Sequence, residues 1–196
     1  MKLIVLSSPT PVANELAILT SMFENGLNYF HLRKPAFDLT QYENYLSSIP
    51  DKFHDKIMLH TYHDLQHKFD TKGIHFSGEP PVTMVAKFKD NTTTSISCHS
   101  FEEVKKLGQQ FSYVFVSPIF DSISKIGYKS TFDPSTLKTA IAQIYPQKLI
   151  ALGGINANNI KQTGNYGFDG VGVLGAIWMS RNPLNSFINL RKQCLC

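Results

Sequence analysis

The stretch KLIALGGINANNI (residues 148–160) combines an apolar run, two adjacent glycines and an asparagine-rich segment. The run KLIAL predicts a buried strand, and NANNI predicts the start of a helix with Asn156 or Asn158 as its N-cap. Gly153 and Gly154 lie between them. Adjacent glycines indicate a backbone conformation that other residues avoid, or a ligand close to the backbone. The stretch therefore predicts a strand–turn–helix unit whose turn presents N–H groups to an anion.

Short apolar runs of this kind recur along the chain, between segments with helical spacing such as Leu16, Leu19 and Phe23. Ser100 and Glu103 predict a capping box at one helix start. Strands that alternate with helices are typical of parallel βαβ units, in either a (β/α)8 barrel or an open doubly wound sheet. Eight continuous apolar strands favour an α/β fold of the (β/α)8 TIM barrel type, as one domain over residues 1–196. The predicted strands cover residues 2–6, 28–33, 56–60, 73–77, 94–97, 113–117, 148–152 and 170–174.

Composition and charge exclude several classes of protein. With 42% hydrophobic and 17% charged residues the chain is globular, and a net charge of +4 without a basic block gives no reason to expect nucleic acid. No apolar run approaches the length of a membrane span. Cys98, Cys194 and Cys196 do not form a disulfide framework, so a cytoplasmic protein with a frayed CLC tail is expected. Residues 176–180 (AIWMS) either face a partner, as in a homo-oligomer, or pack with Trp178 under the barrel.

In a (β/α)8 barrel the functional groups lie at the C-terminal ends of the strands. Phosphate groups are often bound there after strands 7 and 8. LGGIN follows predicted strand 7 and VLGAIW follows predicted strand 8, so both positions carry glycine before a helix start. The two glycine turns therefore predict a phosphate site.

Six segments together resemble the thiamine phosphate synthase superfamily in their order and spacing. The resemblance implies a (β/α)8 barrel that joins hydroxymethylpyrimidine diphosphate to a thiazole phosphate and releases diphosphate. Two alternatives share the barrel and the phosphate site: a thiazole phosphate tautomerase, and a non-catalytic regulator that binds thiamine phosphate. The segments are YFHLRKP (29–35), GIHFSGE (73–79), SCHSFEEV (97–104), VSPIFDSISKIG (116–127), ALGGINANNI (151–160) and GFDGVGVLGAIW (167–178).

Single residues match positions of the family pattern. Arg33 matches an arginine of the strand 2 motif, where the resemblance implies a guanidinium bound to diphosphate. Lys34, one residue on, is expected to face the other side of the strand. Ser97 matches a serine near the ligand. The other implied contacts are the backbone N–H groups of Gly153, Gly154, Leu174 and Gly175, for phosphate, and the side chains of Ser122, Ser124 and Lys125 after strand 6.

The family's Mg²⁺ ligands are replaced. The resemblance implies two aspartates that hold Mg²⁺ on the leaving diphosphate, but Thr61 and Pro80 stand at those positions. Asp64 and Glu79 lie nearby as weak substitutes, and Asp64 is expected to cap a helix instead. We therefore expect weak Mg²⁺ binding and altered or lost transferase activity.

Histidines lie at or near the ends of predicted strands 2 to 5. His31 and His60 stand where the synthases have Gln and Asn, whereas His75 is expected to fill the barrel. We expect His31, His60 and His99 to point into one cavity, with Arg33 and Ser97 nearby. The loss of the two carboxylates together with the gain of these imidazoles favours proton transfer over metal binding, with a pH dependence of activity between about 6 and 8.

Proton transfer is the chemistry of the tautomerase alternative, and one residue argues against it. Ser117 stands where the tautomerases carry a histidine after strand 6. The remaining histidines, His54, His63 and His67, are expected at the surface and are assigned no role.

Overall fold

A computed structural model of the chain describes residues 1–78, 80, 82–88, 92–121, 130, 132–144 and 146–195. Eight parallel strands pair in sequence order, and the last pairs with the first to close a barrel. This confirms the (β/α)8 fold over the open sheet. The strands are β1 (Lys2–Leu6), β2 (Phe30–Leu32), β3 (Ile57–Leu59), β4 (Gly73–Phe76), β5 (Thr93–Cys98), β6 (Tyr113–Val116), β7 (Leu149–Leu152) and β8 (Gly170–Val173). The helices are α1 (Glu15–Glu24), α2 (Leu39–Ser47), α3 (Leu65–Phe69), α4 (Val82–Phe88), α5 (Phe101–Leu107), α6 (Pro134–Ala142), α7 (Ile160–Tyr166), α8 (Gly175–Trp178) and α9 (Pro183–Leu195), with a 3-10 helix at Asp51–Lys56.

The interior of the barrel changes from apolar to polar along its axis. Side chains alternate between the two faces of each strand, so every second residue points inward. The inward apolar cluster consists of Ile4, Met58, Tyr113, Phe115 and Ile150. Closer to the C-terminal ends of the strands the buried residues include histidines and serines. A larger apolar cluster, between the strands and the helices, holds the layers together.

The asparagines after β7 fix a turn and do not cap α7 as predicted. The helix begins at Ile160, so Asn156 and Asn158 both lie before it and the N-cap is Asn159. The Asn159 side chain accepts a hydrogen bond from the N–H of Asn156 (2.9 Å) and donates one to the carbonyl of Gly154 (2.9 Å). The prediction placed the helix start too early because asparagine favours turns and caps for the same reason.

Only one of the two hydrogen bonds of the predicted capping box at α5 is formed. Ser100 accepts a hydrogen bond from the N–H of Glu103 (3.1 Å). The Glu103 carboxylate accepts from the N–H of His99 (2.8 Å), one residue before the N-cap. The helix start therefore holds the backbone of His99 at the end of β5.

Lys34 faces away from the barrel interior, as predicted, and is buried between α1 and α2. Its Nζ lies 2.8 and 2.6 Å from the two carboxylate oxygens of Glu15. The Tyr45 hydroxyl donates to the same carboxylate at 3.0 Å. Because both charges are buried, the pair is stable only while it stays complete.

Glu15→Gln should lower the free energy of unfolding by about 3 kcal/mol, because it leaves the Lys34 ammonium buried without its counter-charge. Urea denaturation at pH 7 measures the difference. A double variant, Glu15→Leu with Lys34→Met, removes both charges and should lie within about 1 kcal/mol of the wild type. A Glu15→Gln protein as stable as the wild type would contradict the assignment.

Several smaller expectations are decided by burial. Trp178 is buried and its Nε1 donates to the carbonyl of Leu6 (2.7 Å) at the C-terminal end of β1, so this residue packs beside the C-terminal end of the barrel, and the expectation that it packs under the barrel was wrong. Cys98 and Cys194 are buried and free of disulfides. His54 is buried, with its ring among backbone carbonyls, so the prediction of a surface position was wrong.

Among the described residues, no helix is long and apolar enough to cross a membrane.

Candidate active site

A cavity of about 320 Å³ opens at the C-terminal ends of the strands. It therefore lies where function is expected in this fold. Residues from the ends of β2 to β6 form one part of the wall, and the turns after β7 and β8 form another. The polar side chains that line it are Arg33, His60, His75, Ser77, Ser97, His99 and Ser117, and the turns contribute Gly153, Gly154, Leu174 and Gly175.

Arg33 is the only permanently charged side chain that the described residues place in this cavity. Its guanidinium makes no hydrogen bond or ion pair with any described residue, although it is half-buried. Its backbone is fixed, because the Arg33 N–H donates to Ser7 Oγ (2.7 Å) and Ser7 Oγ donates to the Arg33 carbonyl (3.0 Å). A half-buried cation without a partner is well suited to an anionic ligand.

Gly153 and Gly154 have left-handed backbones, with φ of +95° and +67°. A Cβ on Gly153 would lie 2.7 Å from Pro118 Cβ, and one on Gly154 would lie 2.4 Å from the carbonyl oxygen of Asp121. The loop after β6 therefore packs directly on the glycine turn. Both glycines are required by conformation and by close approach, which accounts for the pair without any ligand.

The same turns leave N–H groups available to a ligand. Among the described residues, none accepts a hydrogen bond from the N–H of Gly153, Gly154, Leu174 or Gly175. All four residues line the cavity. The predicted phosphate position is therefore compatible with the geometry, and it stays a prediction.

Gly154→Ala should lower the free energy of unfolding by about 2 kcal/mol, because a side chain is strained at this φ and meets the backbone of the loop after β6. Thermal or urea unfolding measures the loss. Gly78→Ala is the matched control, because nothing lies within 4 Å of its added Cβ. Equal losses in the two variants would contradict the assignment.

His31, His60 and His75 form one cluster inside the barrel. His31 Nδ1 lies 2.9 Å from His60 Nε2, and the rings of His60 and His75 stack with centroids 4.1 Å apart. His60 and His75 line the cavity, whereas His31 is fully buried beneath them. The expectation that His31 points into the cavity was therefore wrong. Along β2 it lies two residues before Arg33, which places it one layer deeper.

Burial decides the charge of this cluster. Desolvation lowers the pKa of His31 and of His60 well below the ordinary value, and the neighbouring His75 adds to the effect on both. Burial lowers the pKa of His75 to about 3. All three imidazoles are therefore neutral at pH 7 in the free protein. In the free protein, His31 and His60 are therefore not the source of the expected change in activity between about pH 6 and pH 8.

His99 lies at the edge of the cavity, against the end of β6. Its Nδ1 is 2.9 Å from the Ser117 carbonyl oxygen, so Nδ1–H donates and orients the ring. Ser97 also lines the cavity, and its hydroxyl is 2.9 Å from His75 Nε2. The structure thus brings His60, His99, Ser97 and Arg33 together, as predicted.

Three implied contacts and one weak metal substitute cannot be placed. Ser122, Ser124, Lys125 and Glu79 lie outside the described residues.

The cavity also contains residues that sequence reasoning did not select. His75 was expected only to fill the barrel, but it also lines the cavity floor, and Ser77 lies two residues on. Ser117 was noted only as the replacement of a histidine. The alternation of side chains along β4 and β6 was the available signal, since it places His75, Ser77 and Ser117 on the inward face of their strands.

The described residues do not fit the Mg²⁺ site that the resemblance implies. Thr61 is exposed, and Pro80 has no ligand atom on its side chain. Asp64 is largely exposed, lies outside the cavity lining and pairs with Lys87 (2.5 Å). Its side chain does not cap α3, so the expected cap role was wrong as well. Mg²⁺ needs well-placed carboxylates, and none of the described residues brings one to this cavity.

Known proteins resemble this chain in sequence and in fold. Residues 2–177 match the family model described as thiamine monophosphate synthase. The chain is 27% identical to the thiamine-phosphate synthase of Anoxybacillus flavithermus, across 88% of this chain and 83% of that protein. The crystal structure of thiamine phosphate pyrophosphorylase from Bacteroides thetaiotaomicron is 36% identical, with a TM-score of 0.82 over 98% of this chain and 96% of that one. A thiamine phosphate pyrophosphorylase from Pyrococcus furiosus has the same TM-score of 0.82 at 17% identity, which shows the fold alone. The chain therefore belongs to the thiamine monophosphate synthase family, whose members are transferases.

Proposed function

We propose that this protein joins a pyrimidine-methyl diphosphate to a thiazole phosphate to give thiamine phosphate and diphosphate. The observation that carries the proposal is Arg33. It is a half-buried guanidinium with no partner among the described residues, in a cavity to which those residues bring no carboxylate. Such a cavity favours anionic substrates, and both substrates of this reaction carry phosphate groups.

The thiazole phosphate is assigned to the turns after β7 and β8. Their four N–H groups, on Gly153, Gly154, Leu174 and Gly175, have no acceptor among the described residues, and all four residues line the cavity. Backbone N–H groups suit a phosphate because they are held rigidly by the turn and never lose a proton.

The diphosphate is assigned to Arg33. In the reaction the thiazole nitrogen lone pair forms a C–N bond to the pyrimidine methylene carbon, and the C–O bond to diphosphate breaks with its electron pair. Negative charge grows on the leaving group, and a fixed guanidinium compensates it. Ser122, Ser124 and Lys125 are proposed to contact the same group, by their sequence positions alone.

The imidazoles are proposed to orient the heteroaromatic rings. His60 and His75 are neutral and line the cavity floor, so each offers ring nitrogens for hydrogen bonds. His99 and Ser97, which also line the cavity, are proposed to contact substrate as well. Replacing His99 with Gln separates the synthase from the tautomerase alternative. The substitution should abolish the proton transfer of a tautomerase but only weaken the coupling reaction of a synthase.

A turnover assay tests the proposal. The protein is incubated with hydroxymethylpyrimidine diphosphate and thiazole phosphate, and thiamine phosphate is measured by its fluorescent oxidation product. Formation of thiamine phosphate with release of one diphosphate supports the proposal. Conversion of the isomeric thiazole phosphate without coupling would favour the tautomerase, and binding of thiamine phosphate without any turnover would favour the regulator. Either of these results overturns the synthase proposal.

We further propose that Mg²⁺ contributes less here than in a synthase with both aspartates. Calorimetry with diphosphate present should show weak Mg²⁺ binding, because Thr61 and Pro80 cannot replace the two carboxylates. A synthase that has both aspartates is the reference. Equal affinity in the two proteins would mean that Asp64 or Glu79 has taken over the role.

The proposed compartment is the reducing cytoplasm. The buried, unbridged thiols of Cys98 and Cys194 support it, since neither requires an oxidising environment. Fractionation of the native host followed by detection of the protein tests the assignment.

A further inference from the structure

The imidazole cluster of His31, His60 and His75 is richer in metal-ligating atoms than substrate orientation requires. The three side chains come from β2, the end of β3, and β4, which are consecutive strands in the barrel. One ring nitrogen from each can be chosen so that all three atoms lie within 4.8 Å of one another. We propose that these histidines bind one divalent transition-metal ion of the Zn²⁺ or Co²⁺ class.

For one pair of ligand atoms the required movement is small. Two nitrogens that bind a tetrahedral ion at about 2.0–2.1 Å lie about 3.3 Å apart. His31 Nδ1 and His60 Nε2 are 2.9 Å apart, in a hydrogen bond that the ion would replace. Opening that distance by about 0.4 Å and turning the His60 ring off the face of His75 would admit the ion.

Within the described part of the chain, hydrogen bonds hold the His60 ring at one nitrogen only. Its Nδ1 is buried and has no hydrogen-bond partner among the described residues, so no bond at that atom holds the ring. A buried imidazole nitrogen without a partner is costly, and a ligand that uses it or reorients it would remove the cost.

The other two histidines have partners that would orient them as ligands. His31 Nε2 lies 2.6 Å from the Tyr113 hydroxyl, which would leave Nδ1 for the ion. His75 has Ser95 Oγ at 2.9 Å from Nδ1 and Ser97 Oγ at 2.9 Å from Nε2, so one serine stays as a partner when the other bond opens. Metal-binding imidazoles usually have such a hydrogen bond on the second nitrogen.

The chemistry of the cluster selects the class of ion. Neutral imidazoles suit Zn²⁺, Co²⁺, Ni²⁺ and Cu²⁺, whereas Mg²⁺ prefers oxygen ligands. Three protein ligands leave a fourth position, and His60 and His75 border the substrate cavity. The ion would therefore lie beneath the cavity with one position turned toward it, as in metal sites that keep a position open.

Binding is tested on the untagged, chelator-treated protein, since a histidine tag binds the same ions. Titration with Co²⁺ alone, without substrates, should show one ion per chain and a visible absorption stronger than that of hydrated Co²⁺. Zn²⁺ should displace the Co²⁺ and raise the melting temperature, and millimolar Mg²⁺ should do neither. The result is independent of the proposed function, because no turnover is measured.

Substitutions locate the site. Loss of a residue that hydrogen-bonds a metal ligand lowers metal affinity by about 10- to 100-fold. His60→Asn removes a ligand itself, so it should lower the affinity for Co²⁺ by at least about 100-fold. His67→Asn, which removes an exposed histidine outside the cluster, should bind as the wild type does. His31→Gln should repeat the loss, provided that circular dichroism shows a folded protein. Absence of stoichiometric Co²⁺ binding to the wild type, or unchanged binding in His60→Asn, would overturn the proposal.

Discussion

Replacing Arg33 with Gln should lower kcat/KM for thiamine phosphate formation by about 1,000-fold. The guanidinium is the only permanent charge that the described residues bring to the cavity, so no other described side chain there can supply a permanent positive charge to the diphosphate. The neutral amide keeps a hydrogen-bond donor but loses the charge and the planar fork. The fold should survive, because Ser7 holds the backbone of Arg33 and not its side chain.

Steady-state kinetics on the purified variants measures the effect. Lys52→Gln is the control. It removes one positive charge from the 3-10 helix before β3, at the opposite end of the barrel, and should leave kcat/KM unchanged. Arg33→Lys should retain more activity than Arg33→Gln, since charge remains without the fork. A reduction of less than about tenfold in Arg33→Gln would show that other groups bind the diphosphate.

Lowering the pH from 7 to 5.5 should reduce the free energy of unfolding by about 4 kcal/mol. The cause is the cluster of His31, His60 and His75, whose pKa values burial lowers well below that of a free imidazole. Below pH 6.5 the unfolded chain binds protons on these residues and the folded protein does not. The unfolded state therefore gains stability as the pH falls, by about 1.4 kcal/mol per pH unit for each imidazole. The loss continues until the folded protein is itself protonated, which for His75 occurs near pH 3.

Urea denaturation at both pH values, with chelator present to exclude metal effects, measures this loss. His75→Asn should reduce the difference between the two pH values by about 1.3 kcal/mol, because one proton-linked group is removed. His67→Asn removes an exposed histidine and should leave the difference unchanged. Equal stability of the wild type at pH 7 and pH 5.5 would show that the cluster accepts protons in the folded state.

The barrel could be predicted because its signals are local. Strands rich in apolar residues, helical spacing between them and the glycine pair at Gly153–Gly154 are each visible in a short window of sequence. The boundary of α7 could not be placed so well. Asn156, Asn158 and Asn159 all favour turns and caps, and only the folded turn shows which one precedes the helix.

The strand face on which the site residues lie could be predicted from the sequence, but the depth of each residue inside the barrel could not. The period of two in a strand shows that His31 and Arg33 share the inward face, yet only the closed barrel shows that His31 is buried beneath the cavity. The missing partner of Arg33 is likewise a property of the whole barrel, since it depends on which side chains the seven other strands turn toward the cavity. The pKa values of the imidazoles follow burial and could not be derived from spacing.

A crystal structure with thiamine phosphate and diphosphate bound together tests the central claim most directly, that this cavity holds both products of the transfer. We expect the phosphate of thiamine phosphate on the N–H groups of Gly153, Gly154, Leu174 and Gly175, and the diphosphate on the Arg33 guanidinium. Thiamine phosphate bound outside the cavity, or a diphosphate that makes no contact with Arg33, would contradict it.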